Sequence, residues 1–216
     1  MHVIRNILFL TACLWGINAF ALDERGQQRL QEIQQAWAET RYELAPDARD
    51  KAFEALHART EQALLESPDA PELLIWRGIV LASWAGARGG LGALGLVKQA
   101  RASLEAALEK DPSALDGSAW TSLGSLYYQV PGWPIGFGDD QRAEEMLRKA
   151  LAINPDGIDP NFFYGDFLIE QQRYDEARAA LQRALAAPPR PGRERADAGR
   201  RDECRALLAK LDVAQR

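Results

Sequence analysis

Three residues return at matched offsets along this chain: Gly78, Ala100 and Pro112, then Gly124, Ala143 and Pro155, then Gly165, Ala177 and Pro189. The step from alanine to proline is identical in all three sets. A large apolar residue stands four after the alanine (Leu104, Leu147, Leu181), and a second alanine three beyond that (Ala107, Ala150, Ala184). A fourth, weaker copy shows only its end, Ala63 to Pro68. Repeats of this period are helix pairs that bury their apolar faces only against one another. Such arrays offer an extended binding surface.

Boundaries drawn from local signals agree with the repeat. Leu30, Ile33 and Trp37, with Leu44, recur at helical spacing between Asp23 and Leu44, and a second helix from about Ala48 to Glu66 carries Phe53, Leu56, Ala63 and Leu64. The weak first pair therefore occupies 23–68. The pair 69–112 opens with Pro71, in the first turn where a helix tolerates proline best. In the pair 116–155, Asp116-Gly117-Ser118 opens the first helix, and Asp139-Asp140 supplies an N-cap to its partner. The pair 158–189 begins with Asp159-Pro160, read as a cap followed by an N1 proline. After the polar break Pro189-Arg190-Pro191-Gly192-Arg193, a capping helix over about 193–213 carries the apolar stripe Leu207, Leu208 and Leu211.

Trp120, Leu123, Gly124, Tyr127, Ala143, Leu147, Ala150 and Pro155 resemble the tetratricopeptide signature. Tyr164, Gly165, Leu168, Ala177, Leu181, Ala184 and Pro189 are similar again. The resemblance covers about Asp69 to Pro189. It implies an all-α, tetratricopeptide-like right-handed superhelix of about four helix pairs plus a C-terminal capping helix. The packing logic is independent of the name: Gly and Ala let helix backbones approach, and bulky residues fill the remaining gaps.

Two sets depart from the regular spacing. The steps from Gly78 to Ala100 and from Gly124 to Ala143 are both longer than the step from Gly165 to Ala177. Both excesses fall at the turn inside a helix pair, giving inserted loops at 84–95 and 130–138. Each is apolar, glycine-rich and aromatic, unlike a solvated turn. Emerging at one edge of adjacent repeats, the two are expected to meet there and either seal the superhelix or frame a binding site. Trp84, Arg88, Tyr128, Trp133 and Phe137 are the candidate contact residues. Insertions so placed are also similar to those of the T-component proteins of TRAP transporters. That likeness implies a periplasmic carrier of an apolar small molecule.

The segment from Met1 to Ala21 holds Arg5, an apolar stretch from Ile7 to Phe20 and the small-x-small end Ala19-Phe20-Ala21. It reads as a secretory signal cleaved after Ala21, giving a periplasmic or secreted protein, with lipidation at Cys13 in Leu10-Thr11-Ala12-Cys13 as the alternative. All 31 acidic residues and all but one of the 26 basic residues follow Ala21, so the remainder is acidic. That balance disfavours a nucleic-acid or anionic-membrane partner. No later segment approaches the length of a membrane span. With one cysteine left, Cys204, no internal disulfide can form, and packing must supply the stability.

Chemistry is sparse. His57 is the one histidine after Ala21, without the companions that a metal site requires. Asn154 to Asp159 fails as a calcium loop, because Ala152 and Phe163 fall where carboxylates are needed. No cofactor motif occurs. The reading is a non-catalytic binding or scaffold protein that recognises a protein partner. An apolar small-molecule carrier is the alternative. A carboxylate-based hydrolase drawing on Asp139, Asp140, Asp156, Asp159 and Asp166 is a third.

Overall fold

In a computed structural model, residues 22–214 are described, and they form nine α-helices. The expected signal cleavage after Ala21 and the alternative at Cys13 lie outside the described residues. The helices are α1 (Glu24–Tyr42), α2 (Arg49–Glu66), α3 (Pro71–Arg88), α4 (Gly92–Lys110), α5 (Ala114–Gln129), α6 (Asp140–Ile153), α7 (Ile158–Glu170), α8 (Tyr174–Ala186) and α9 (Glu194–Ala214). Odd-numbered helices α1, α3, α5 and α7 touch in sequence and form an inner layer, while α2, α4, α6 and α8 back them. Helix α9 packs on α7 and α8 and reaches across to α1.

The repeat signature marks one contact made three times. A Cβ added at Gly78 would lie 2.6 Å from Leu104 Cγ, one at Gly124 2.6 Å from Leu147 Cγ, and one at Gly165 2.8 Å from Leu181 Cγ. Ala100, Ala143 and Ala177 are fully buried beside these leucines. Register is thus kept although the glycine-to-leucine separation shrinks from pair to pair. The added residues lie wholly within the turns or in lengthened helices.

The first insertion is a correction to the expected loop at 84–95. Residues 84–88 continue α3 and 92–95 begin α4, leaving a short turn with Gly89 at φ 64° and Gly90 at φ 59°. The extra helical turn has partners: Trp84 Nε1 donates to Asp50 Oδ1 at 2.8 Å, and Arg88 Nε to the same atom at 3.0 Å. The second insertion is a true loop. Its backbone is bonded internally, Gly136 N to Gly132 O at 3.1 Å and Gly138 N to Pro131 O at 3.0 Å, and Asp139 N donates to Tyr127 O at 2.8 Å. Asp139 then caps α6 by accepting from Gln141 N and Arg142 N, as expected.

Asp159 does not cap α7. That helix begins one residue earlier, at Ile158, with Gly157 in the cap position, and the Asp159 side chain turns inward. Helix α9 buries more than the expected Leu211. Cys204 and Ala196 are buried with Asp197 and Arg200, so much of its inner face is polar. Burial pushes the Cys204 thiol up to about 11.

Replacing Gly124 with Leu forces a side chain into Leu147. A cost of about 1–3 kcal/mol is expected, read as a lower melting temperature than that of a Glu109→Gln control at an exposed site.

Candidate functional site

The inner faces of α1, α3, α5 and α7, together with α9 and the segment before it, line a half-open cavity of about 370 Å³. Its apolar wall comes from Trp37, Trp76, Ile79, Phe162 and Phe163. Trp37 and Trp76 meet edge to face at 5.8 Å, and Trp37 Nε1 donates to Ser83 Oγ at 2.8 Å, so both indoles are fixed. Along α5, Ser118, Thr121, Ser122 and Ser125 line the same space, with the Ser118 and Ser125 hydroxyls donating to Leu115 O and Ser122 O of their own helix. Their spacing of three to four residues places them on one side of the helix.

Near its start α5 is kinked by three residues in left-handed conformation: Leu115 (φ 49°), Asp116 (φ 54°) and Gly117 (φ 75°). Glycine adopts this freely, whereas leucine and aspartate do so at a cost of about 1–3 kcal/mol each. The turn is held by Gly117 N donating to Ser113 O, Ser118 Oγ to Leu115 O and Trp120 Nε1 to Pro112 O. Its effect is to bring Leu115 and Asp116 into the cavity wall. Strain concentrated at a cavity wall is a recurrent mark of functional sites.

One end of the cavity is charged. Asp159 accepts from Arg190 Nη1 at 2.7 Å and from Arg200 Nε at 2.8 Å. Burial alone would raise the Asp159 carboxyl; Arg200 and Arg190 outweigh it and hold Asp159 well below the usual carboxylate range. Arg190 also bonds Asp197, and Arg200 bonds Glu203. Glu203 in turn accepts from Arg41 at 2.7 Å and from Tyr42 at 3.3 Å, tying α9 to α1. Burial carries the Tyr42 hydroxyl up to about 12. The Arg200 guanidinium lies 4.2 Å from the Phe162 centroid and 4.7 Å from that of Phe163. Asp166 is raised by its burial, and Tyr128 donates to it at 2.7 Å.

The five candidate contact residues do not form one site. Trp84 is buried against α2, with its ring 5.6 Å from that of His57. Arg88 stacks 4.5 Å over Trp84 and pairs with Asp50. Both are committed to holding α3 on α2. Tyr128 is buried, and its hydroxyl meets Asp166 at the cavity wall. Phe137 is half-buried, edge-on to Tyr127 at 5.6 Å and beneath Arg101 of α4 at 4.4 Å. The 130–138 loop therefore anchors on α5 through Tyr127 and on α4 through Arg101. Trp133 is 90% exposed and Ile135 61% exposed on the outer side of the same loop.

Sequence alone does not reveal the cavity. Arg190, Arg193 and Arg200 lie in a stretch that reads as a polar break and a solvated cap, and Asp159 reads as a helix cap. The legible signal is the hydroxyl stripe on α5, where a helix of a packed repeat has small polar residues at core-like spacing. Among the described residues, no helix is long and apolar enough to cross a membrane.

Residues 135–194 match the tetratricopeptide repeat family. Over 108 residues, 49% of this chain, the sequence is 37% identical to the type IV pilus assembly protein PilF of Pseudomonas aeruginosa; the match spans 39% of that protein. Among solved structures the chain is similar to TTC0263, a thermophilic tetratricopeptide protein of Thermus thermophilus, with a TM-score of 0.47 and 19% identity over 87% of this chain and 99% of that one. It is also similar to MamA, with a TM-score of 0.44 and 20% identity over 76% of this chain and 90% of that one.

Asp159 supplies a test of the charged end. A carboxyl with a depressed folded-state pKa contributes stability that is present above the ordinary carboxylate range and lost as pH falls through that range toward the folded-state value. Melting temperature should therefore drop on acidification. Asp159→Asn should cost about 3 kcal/mol at neutral pH, because it leaves two guanidiniums short of a partner, and should flatten that acid limb.

Proposed function

We propose that this chain, which carries tetratricopeptide repeats, is a non-catalytic scaffold that docks a protein partner through its 130–138 loop. The observation that carries the reading is Trp133, an almost fully exposed indole on a loop whose backbone is internally bonded and anchored by Phe137. A large aromatic held on an ordered loop offers much contact area and has little conformational freedom to lose on binding. Ile135 extends the apolar surface beside it. Protein recognition is the usual work of tetratricopeptide arrays, and the similarity to a pilus assembly protein supports a role in holding components of a larger assembly. The export signal read between Met1 and Ala21 supports a periplasmic setting for that work.

A second reading is favoured by the contact of α9 with α1. That contact walls one side of the concave face and leaves a half-open cavity whose volume suits a small ligand. The chain then carries a small molecule inside and a protein contact outside.

Trp133→Ala tests the docking surface. A photo-crosslinking residue at position 133 should trap a defined protein in native cells, and the alanine variant should bind that protein about 2 kcal/mol more weakly with an unchanged melting temperature. A drop in melting temperature with binding intact would instead make the loop a structural element.

A further inference from the structure

We propose that the concave cavity binds a small organic monocarboxylate with an apolar, planar body, its carboxylate received by Arg193. The proposal rests on the second reading above, that the cavity is a ligand site. Among the described residues four guanidiniums line the space, and three are already matched: Arg41 with Glu203, Arg190 with Asp159 and Asp197, Arg200 with Asp159 and Glu203. The Arg193 side chain makes no hydrogen bond or ion pair among the described residues, and its Nε is buried without an acceptor. A buried donor without a partner is costly, the more so on a cation. Burial and the neighbouring Arg190 push the Arg193 guanidinium below its ordinary value, and the charges of Asp159 and Asp197 offset them only in part.

The guanidinium is also oriented. Its carbon lies 4.9 Å from the Trp76 ring centroid, so the indole steadies it and leaves its edge for a planar acceptor. An arginine fork matches a carboxylate with two parallel hydrogen bonds. The remaining charges select against other ions. Asp116, Asp159 and Asp166 line the same cavity, so a dianion such as phosphate meets more repulsion than a monoanion does. Trp37, Trp76, Phe162 and Phe163 suit an apolar, flat body. The volume of about 370 Å³ is at the small end of the range for ligand pockets.

Calorimetric titration of the purified chain with 4-phenylbutyrate and, separately, with 4-phenylbutanol tests this. The acid should bind at least about tenfold more tightly than the alcohol, and Arg193→Met should abolish that preference while leaving alcohol binding and the melting temperature as they were. Equal binding of acid and alcohol overturns the carboxylate assignment but keeps the cavity as a ligand site. Absence of binding by either overturns both. Inorganic phosphate competing as well as the acid also overturns the assignment, since it would mark a general anion site. If Arg193→Met does not fold, the acid-to-alcohol ratio on the unaltered chain, with the Trp76 indole resonance followed by NMR, decides the question alone.

Discussion

Glu203 joins the two ends of the array. From α9 it accepts from Arg41 and Tyr42 of α1 while also receiving Arg200 from its own helix. Gly199 stands one turn away, where any side chain would run into the ring of Tyr42. Arg195 pairs with Glu43 on the same seam. Without this seam the inner layer is an open trough. With it, the charged end of α9 becomes a wall, and Arg200 and the residues before α9 are held over the aromatic face. The cavity, its polarity and its limited size all follow from that closure.

The scaffold beneath it is set by steric contact and is legible in the sequence. Glycine at one helix and a leucine four beyond alanine at its partner define how near two backbones can come, and that contact leaves a fixed trace even when residues are added between them. The lengths of the insertions are equally legible; their conformations are not. Residues 84–95 read as a loop because of five glycines, yet Trp84 and Arg88 have Asp50 to bind, and that tertiary partner carries α3 on for another turn. In 130–138 no such partner is offered to the outer side chains, and the chain remains a loop.

The site is less legible than the fold, for a reason visible in α9. A helix with Asp197 and Arg200 on one side reads as a solvated cap. In the folded chain those two residues are buried and the apolar Val213 is exposed, because ion pairs with Arg190 and Asp159 come from segments outside the helix. Asp159 misleads in the same way, since an aspartate at a helix start reads as a cap until its tertiary partners are known. Trp133 and Phe137 stand out together because apolar residues in a glycine-rich loop are unusual. Only the structure separates the one that anchors the loop from the one that faces outward.

Hydrogen exchange on a Glu203→Ala variant addresses the closure most directly. If the seam holds the array shut, amides of α1 and of the first turns of α9 lose protection together, while those of α4 and α6 keep theirs. Unchanged protection of α1 in that variant would contradict the account: the first helix would then be held by α2 and α3 alone, and the cavity would not depend on α9.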